Sequence, residues 1–336
     1  MLAMVQNDTG EFRRKTSQFR SVIPSAQYPA EAGRYVLYMN NLCPWVHRTL
    51  IVRSLKHLDD IIETIEVDSY APGRGWTFSG KYGPDRDPIT SLKTMPEVYE
   101  KHHPGCLANG IASVPVLFDK KTSKMHPARV PTPQNLTRVI DTIVNNESSE
   151  IIRMFYTTSA SIVPPNATPT LDLLPADLKD EIEAMNTWVY EQVNNGTYRV
   201  GFATSPQAYS AGVERFYDGL GRLETHLSDP AHRPYLFGTR LTEADVRLFP
   251  TIVRFDIGYV GFFNRRPGDA KFIRDWYPNV DKWLRTLYWD ESVETSGAFK
   301  KSVDFSKMRE GVAKVEGIDN DFKLPDIDIL PLESVA

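Results

Sequence analysis

Apolar residues are spaced in two ways along the chain. Up to about residue 158, short apolar runs alternate with helical spacing; from about residue 179 to 300 the spacing is helical throughout. Tyr35-Val36-Leu37-Tyr38-Met39 is a strand-like run closed by a polar turn at Asn40-Asn41. Val46 and Leu50, then Ile51, Leu55 and Leu58, recur at intervals of three and four, which predicts an amphipathic helix with one apolar face. A second strand runs from Ile61 to Val67, and a helix between two strands predicts parallel pairing through a right-handed crossover. Residues 68–113 are irregular and rich in Gly and Pro, with one helix predicted at Met95–His102; connections this long usually carry function. Ser113 to Asp119 reads as a strand with Pro115 near its start, where proline is allowed at an edge or a special turn, often after a cis bond. Thr142-Ile143-Val144 is a short strand, and Ile151 to Phe155 a helix.

Pro164, Pro165, Pro169 and Pro175 mark an interdomain linker over residues 159–178. One helical stripe follows at Leu178, Ile182, Met185, Val189 and Val193, and another at Val213, Phe216, Leu220, Leu223 and Leu227, behind the cap Ser205-Pro206. Thr242 to Asp245 has the form of a capping box with Asp in place of the usual Glu or Gln, opening a helix with Leu248, Ile252 and Phe255. Pro278 leads into Val280, Trp283, Leu284 and Leu287. The organisation is therefore an arm over 1–34, an α/β domain over 35–158, a linker over 159–178, an all-helical domain over 179–300 and a charged tail over 301–336 that wraps or frays. Phe12, Phe19, Val22 and Ile23 are the residues able to pin the arm.

A chain of 336 residues with a net charge of −4 has room for two domains. No Lys/Arg block stands out, so no nucleic-acid partner is expected. Two Cys argue against a disulfide scaffold and for a reducing compartment. No apolar run reaches membrane-spanning length and the N-terminus lacks a signal-peptide core, so the expectation is a cytoplasmic protein with no membrane partner. No spacing of His, Cys, Asp or Glu suggests a metal, and no Gly-rich phosphate loop follows a strand.

The candidate chemistry begins at Cys43. Pro44 suits the first helical position, which puts Cys43 at the helix N-terminus, near unpaired N–H groups and the positive end of the dipole. A thiol there loses its proton readily and reacts as thiolate; the alternative is a buried structural Cys. Val46 stands where a dithiol oxidoreductase has its second Cys, so a mixed disulfide on Cys43 must wait for an outside thiol, for which glutathione is the candidate. A cis bond at Val114-Pro115 would expose the Val114 backbone to a peptide ligand. Glu147 and Ser148, at the start of the helix after the fourth strand, either hold a carboxylate or cap the helix; spacing leaves both open.

The order of elements, a βαβ unit, a proline-led strand, a further strand and helix, then helices only, resembles the glutathione transferase superfamily: a thioredoxin-like N-terminal domain followed by a helical C-terminal one. Within it the chain is similar to the S-glutathionyl-hydroquinone reductases, the xi class, related to the omega class. The motifs that carry this are Gly10-Glu11-Phe12, Ser17-Gln18-Phe19-Arg20, Cys43 through Leu50, Gly75-Trp76-Thr77-Phe78, Val114-Pro115-Val116-Leu117, Val144 through Arg153, and Asn194 through Tyr198 with Gly201-Phe202-Ala203-Thr204. The resemblance implies that Cys43 takes glutathione from an aromatic glutathione conjugate and that a second glutathione releases it as the disulfide. It implies a glutathione site with Trp76, Val114, Pro115, Glu147 and Ser148. It also implies that Tyr190 and Tyr288 border the hydroquinone, one of them as proton donor, with Tyr198, read as part of a turn at Asn194–Tyr198, a further candidate contact; for each Tyr the alternative is half-buried packing. Trp76 stands in an irregular Gly-rich segment, which favours ligand contact over core packing. His47, next to Cys43, is a weaker candidate to assist the thiolate, the alternative being a first-turn surface residue with no special role; Cys106 reads as incidental, the alternative being a redox-sensitive thiol. A homodimer is expected from the resemblance.

Two features depart from the family. An extra stretch near Met125–Ile140 interrupts a hairpin that relatives close directly; it is a surface insertion or translated intervening sequence, and a hairpin tolerates it at small entropic cost. Ile111-Ala112-Ser113 stands where relatives often carry a basic residue that meets glutathione. Competing readings are an omega-like thioltransferase or dehydroascorbate reductase using the same Cys43, a non-catalytic ligandin for aromatic molecules, and a relative of the chloride intracellular channel proteins, against which the lack of a membrane-length run counts. Conjugation of glutathione to electrophiles is disfavoured, because a Cys here tends to form mixed disulfides.

Overall fold

The computed structural model describes residues 5–68, 70–71, 74–108, 110–121, 142–165, 170–266 and 268–313, with Leu324 and Ile329. The extra stretch near Met125–Ile140 lies outside the described residues. The chain divides into two units, Met1–Ala3 with Lys15–Pro169, and Met4–Arg14 with Thr170–Ala336. The expected single arm is thus shared. Its first part forms an antiparallel ribbon of β1 (Val5–Gln6) and β2 (Phe12–Arg13) within the second unit.

The first unit is built on a mixed sheet of β3 (Tyr35–Met39), β4 (Glu63–Glu66), β7 (Val116–Asp119) and β8 (Ile143–Asn145), in the order β4-β3-β7-β8. β3 pairs parallel with β4, as the helix between them predicts, and antiparallel with β7; β7 pairs antiparallel with β8. All five residues of β3 are buried, the pattern of a central strand covered on both faces. A small hairpin of β5 (Tyr70–Ala71) and β6 (Gly75–Trp76) and helix α2 (Met95–His102) fill the long irregular region. At the far end of β7, Asp119 is fully buried and takes two hydrogen bonds from Arg34, at 3.0 Å from Nε and 2.6 Å from Nη2.

Helix α1 (Pro44–Leu55) corrects the expected one-sided amphipathic helix. Pro44, Trp45, Val46, His47, Arg48, Thr49, Ile51, Val52 and Leu55 are all buried, so nearly its whole surface is covered. One partner is α3 (Ser148–Ile162), which packs on it. Helix α3 continues through residues 159–162, the first part of the stretch expected to be linker, before Pro164. Ahead of β3, the second part of the arm lies along β8. Ser21 N–H donates to the Val144 carbonyl at 3.0 Å, Asn146 N–H to the Phe19 carbonyl at 3.1 Å, and the Asn145 amide to the Ser21 carbonyl at 3.0 Å. Arg20 forms an ion pair with Glu150 on α3.

The second unit is helical: α4 (Lys179–Val189), a π-helical turn (Tyr190–Asn194), α5 (Gly196–Gly201), α6 (Pro206–Ser228), α7 (Glu243–Phe255), α8 (Pro278–Tyr288) and α9 (Phe305–Ala313). The predicted stripes are its core, with Ile182, Met185, Val189 and Val193 buried, then Phe216, Leu220, Leu223 and Leu227, then Val280, Trp283, Leu284 and Leu287. Two expectations are corrected. The tail begins with helix α9, and Tyr198 stands in helix α5 where the sequence suggests a turn. Ser205 caps α6, its hydroxyl accepting from Ala208 N–H at 3.1 Å.

Asp245, the unusual capping-box residue, is buried and accepts from Thr242 N–H at 3.0 Å, Leu236 N–H at 2.9 Å and the Trp283 indole N–H at 2.9 Å. One carboxylate therefore ties the start of α7 to α8 and to the preceding loop, which explains why the shorter Asp suffices. Asp245→Ala would strand those donors away from water, and we expect a loss of about 3–5 kcal/mol. The midpoint of urea unfolding measures it; an unchanged midpoint would contradict the assigned role.

Candidate active site

The site grows from the turn after β3. Asn40 is fully buried, and its side chain closes the turn from both sides. Its Oδ1 accepts from Leu42 N–H at 2.8 Å, and its Nδ2 donates to the Val67 carbonyl at 2.6 Å. Cys43 N–H donates to the Asn40 carbonyl at 3.0 Å, and the Cys43 carbonyl accepts from His47 N–H at 3.1 Å. Cys43 is thus the N-cap of α1 with Pro44 in the first turn, as the sequence predicts. A sulfur there faces the positive end of the helix dipole. No disulfide joins Cys43 to Cys106. Cys43 is 8% exposed, so the helix-start cysteine is also a largely buried one.

Across from it runs the turn before β7. The Cys43 thiol donates to the Val114 carbonyl at 3.5 Å, and the Val114–Pro115 bond is cis. Val114 and Pro115 are both buried. Ser113 is held from below, its carbonyl accepting from the Tyr99 hydroxyl at 2.9 Å.

A second corner lies at the start of α3. Glu147 is the N-cap, and its carboxylate accepts from Ser149 N–H at 3.1 Å, the Ser149 hydroxyl at 2.9 Å and the Ser17 hydroxyl at 2.9 Å. Burial pushes the Glu147 carboxyl up. The Ser149 backbone and hydroxyl, Ser17 and the charge of Arg48 outweigh it and hold the group below its ordinary value. Glu147 therefore does cap the helix, and it does so as a half-buried, ionised carboxylate beside a buried Ser148.

Two side chains of α1 differ from their sequence reading. His47 is 1% exposed, not a surface residue, because the first turn is covered on all sides. Arg48, given no role by the sequence, is 3% exposed, with its guanidinium 4.6 Å from the centre of the Trp45 ring. A buried cation whose field reaches Glu147 is a site feature that sequence reasoning missed. The signal available was its position directly after His47, in the first two turns behind Cys43. Ser17 was missed as a site residue as well, although its motif was noted. Trp76, in β6, is 9% exposed, and its ring meets Tyr70 edge-on at 5.9 Å.

The tyrosines belong to the second unit. Tyr190 opens the π-helical turn, whose wider ring is seen in the Asn195 N–H to Tyr190 carbonyl bond at 2.9 Å. Such turns often occur at functional positions and leave no mark in simple periodicity. Gly219 of α6 makes room for this one; a Cβ there would lie 2.9 Å from Gln192 Cβ and 3.0 Å from Val193 Cγ2. Tyr288 packs against Trp289 at 5.3 Å and Phe305 of α9 at 5.9 Å, and burial raises its hydroxyl above the ordinary phenol value. Tyr198 is wedged between Phe12 at 6.0 Å and Phe202 at 5.8 Å, with the Arg14 guanidinium 5.7 Å from its ring centre. That is the packing alternative left open for it.

Among the described residues no group of three or more His, Cys, Asp or Glu could hold a metal ion. No helix among them is long and apolar enough to cross a membrane.

Residues 42–158 match the family model for the glutathione S-transferase N-terminal domain, and residues 206–286 that for the C-terminal domain. The chain is 38% identical over 302 residues to glutathione S-transferase omega-like 2 of Schizosaccharomyces pombe, spanning 89% of this chain and 87% of that one. It is 38% identical over 289 residues to glutathionyl-hydroquinone reductase YqjG of Escherichia coli, spanning 83% and 79%. The glutathione-bound structure of YqjG matches with a TM-score of 0.72 and 33% identity, over 89% and 88% of the two chains. The crystal structure of the glutathione S-transferase Xi from Phanerochaete chrysosporium matches with a TM-score of 0.82 and 38% identity, over 98% of both chains. These likenesses run through both units, and the chain belongs to the glutathione transferase superfamily, within its Xi class.

Proposed function

We propose that the protein is a glutathione-dependent reductase that removes glutathione from S-glutathionyl-hydroquinones through a mixed disulfide on Cys43. The observation that carries this is Cys43 at the N-cap of α1, directly before Pro44, with Val46 where a resolving cysteine would stand. The glutathionyl-hydroquinone reductase YqjG, similar along most of the chain, supports the substrate class.

In the first step the ring carbon bearing sulfur takes a proton, giving the keto tautomer of the conjugate. The Cys43 thiolate then attacks the glutathione sulfur. The carbon–sulfur electron pair returns to the ring and the carbonyl oxygen, which takes a proton, and hydroquinone leaves. In the second step a glutathione thiolate attacks the mixed disulfide, freeing Cys43 and releasing glutathione disulfide. One conjugate and one glutathione thus give one hydroquinone and one disulfide. Glutathione is recognised by the Val114 backbone and Pro115, by Trp76, and by Glu147 and Ser148, with the Glu147 carboxylate meeting the γ-glutamyl ammonium. Tyr190 and Tyr288 are the proposed hydroquinone contacts and proton donors; a phenol raised above its ordinary value, as at Tyr288, stays protonated at neutral pH. Tyr198, packed between Phe12 and Phe202, is a further proposed hydroquinone contact. A reducing compartment such as the cytoplasm and a homodimer go with this reading.

Wild-type protein with the hydroquinone conjugate glutathionyl-menadiol and glutathione is expected to release menadiol, and faster than it reduces dehydroascorbate. Cys43→Ser should lose at least a thousandfold in kcat/KM, or about 4 kcal/mol. Turnover that survives the substitution, or a preference for dehydroascorbate, would contradict the proposal.

The pH dependence follows from Glu147. Its pKa is lowered in the folded protein, so its contribution is full above the ordinary carboxylate value and is lost as pH falls through the lowered one. The KM for glutathione should therefore stay unaffected by this group from neutral pH to below that ordinary value. In Glu147→Gln it should rise about tenfold at neutral pH. An unchanged KM in the variant would remove Glu147 from the site.

A further inference from the structure

We infer that Tyr99 is a positioning residue: its hydroxyl ties the turn carrying Val114 to the helix start carrying Glu147, and so sets the span over which glutathione is read. The inference rests on the glutathione site proposed above and adds to it a residue that touches no substrate.

Tyr99 stands on α2, away from both corners in sequence, and is 0% exposed. Its hydroxyl donates to the Ser113 carbonyl at 2.9 Å and accepts from the Asn146 side-chain amide at 3.3 Å. The same Asn146 amide reaches the Ser113 hydroxyl at 3.4 Å. Ser113 immediately precedes Val114, and Asn146 immediately precedes Glu147. The knot is closed from the third side by the arm. The Asn146 Oδ1 accepts from Phe19 N–H at 3.1 Å, and the Phe19 ring meets Tyr99 edge-on at 5.5 Å. Burial, opposed by the bonds to Ser113 and Asn146, pushes the Tyr99 hydroxyl up to about 12, so it remains a donor throughout the physiological range.

A tripeptide spans two recognition points. One is backbone beside Cys43; the other is a carboxylate at the α3 start. Errors of an ångström in such spacing cost reactivity steeply, and a buried network with its members satisfied resists them. Without the hydroxyl, the Ser113 carbonyl and the Asn146 amide each lose a partner, and within the knot only the longer 3.4 Å bond from the Asn146 amide to the Ser113 hydroxyl still joins the two corners.

The test compares two disulfides as thiolating agents for Cys43 in the full chain. Glutathione disulfide transfers one glutathionyl sulfur to Cys43 and releases a glutathione thiolate. Bis(2-hydroxyethyl) disulfide does the same with a group that cannot use the glutathione site. Wild type should react faster with the first. Tyr99→Phe should lower that preference about tenfold while the rate with the small disulfide stays within about twofold. An unchanged preference, or an equal fall with both disulfides, overturns the inference. If Tyr99→Phe fails to fold, Asn146→Ser, which shortens the link to Tyr99 but keeps an oxygen for Phe19 N–H, is read in the same way. Wild type with no preference for glutathione disulfide overturns the inference together with the glutathione site. A preference that is present and lost on Tyr99→Phe upholds it even where the hydroquinone assay fails.

Discussion

The first unit is organised around one small geometry, a sulfur fixed between the start of a helix and a backbone carbonyl. Asn40 makes the turn that delivers Cys43 to the end of α1, and Val114 supplies the carbonyl opposite. Neither group can be placed locally. The turn depends on β3 lying beside β4, since the Asn40 amide is anchored on Val67; the carbonyl depends on β7 lying on the other side of β3. The central strand is therefore buried on both faces for a functional reason as well as a packing one. It holds the two halves of the thiol's surroundings in register.

Charge is handled with the same economy. Arg48 is buried and Glu147 half-buried, a placement that charged side chains rarely adopt without partners. Glu147 has three hydroxyl or N–H donors besides the field of Arg48, and Arg48 lies over the Trp45 ring. The result is a fixed negative charge at the start of α3, the helix that packs on the Cys43 helix. The arm is part of this arrangement. Ser17 holds the carboxylate, and Phe19 and Ser21 pair with the backbone around β8. The arm thus works as an added edge to the sheet and not as a loose extension.

What could be read from the sequence was what depends on near neighbours. The strand Tyr35–Met39, the helix start at Pro44, the helix Met95–His102 and the stripes of α6 and α8 are all set by local pattern, and each stands where the pattern puts it. The Cys43 position was equally plain, because a cysteine between a strand, a polar turn and a proline has few places to go. Illegible were features made by distant partners. Burial of His47 and Arg48 depends on what covers α1, and the roles of Ser17, Tyr99 and Asn146 on pairings across many residues. The π-turn at Tyr190–Asn194 hides in periodicity because one added residue per turn shifts a stripe without breaking it. The family motifs Ser17-Gln18-Phe19-Arg20 and Val144 through Arg153 marked these places, and their physical meaning came from the bonds between them.

The claim on which all of this turns is that Cys43 carries glutathione during the reaction. Full-length protein incubated with glutathionyl-menadiol and no free glutathione, then digested and mapped by mass spectrometry, reads it directly. The account predicts one glutathionyl group per chain, on the peptide containing Cys43, removed on adding glutathione. An adduct confined to Cys106, or release of menadiol with no adduct on either cysteine, would contradict it.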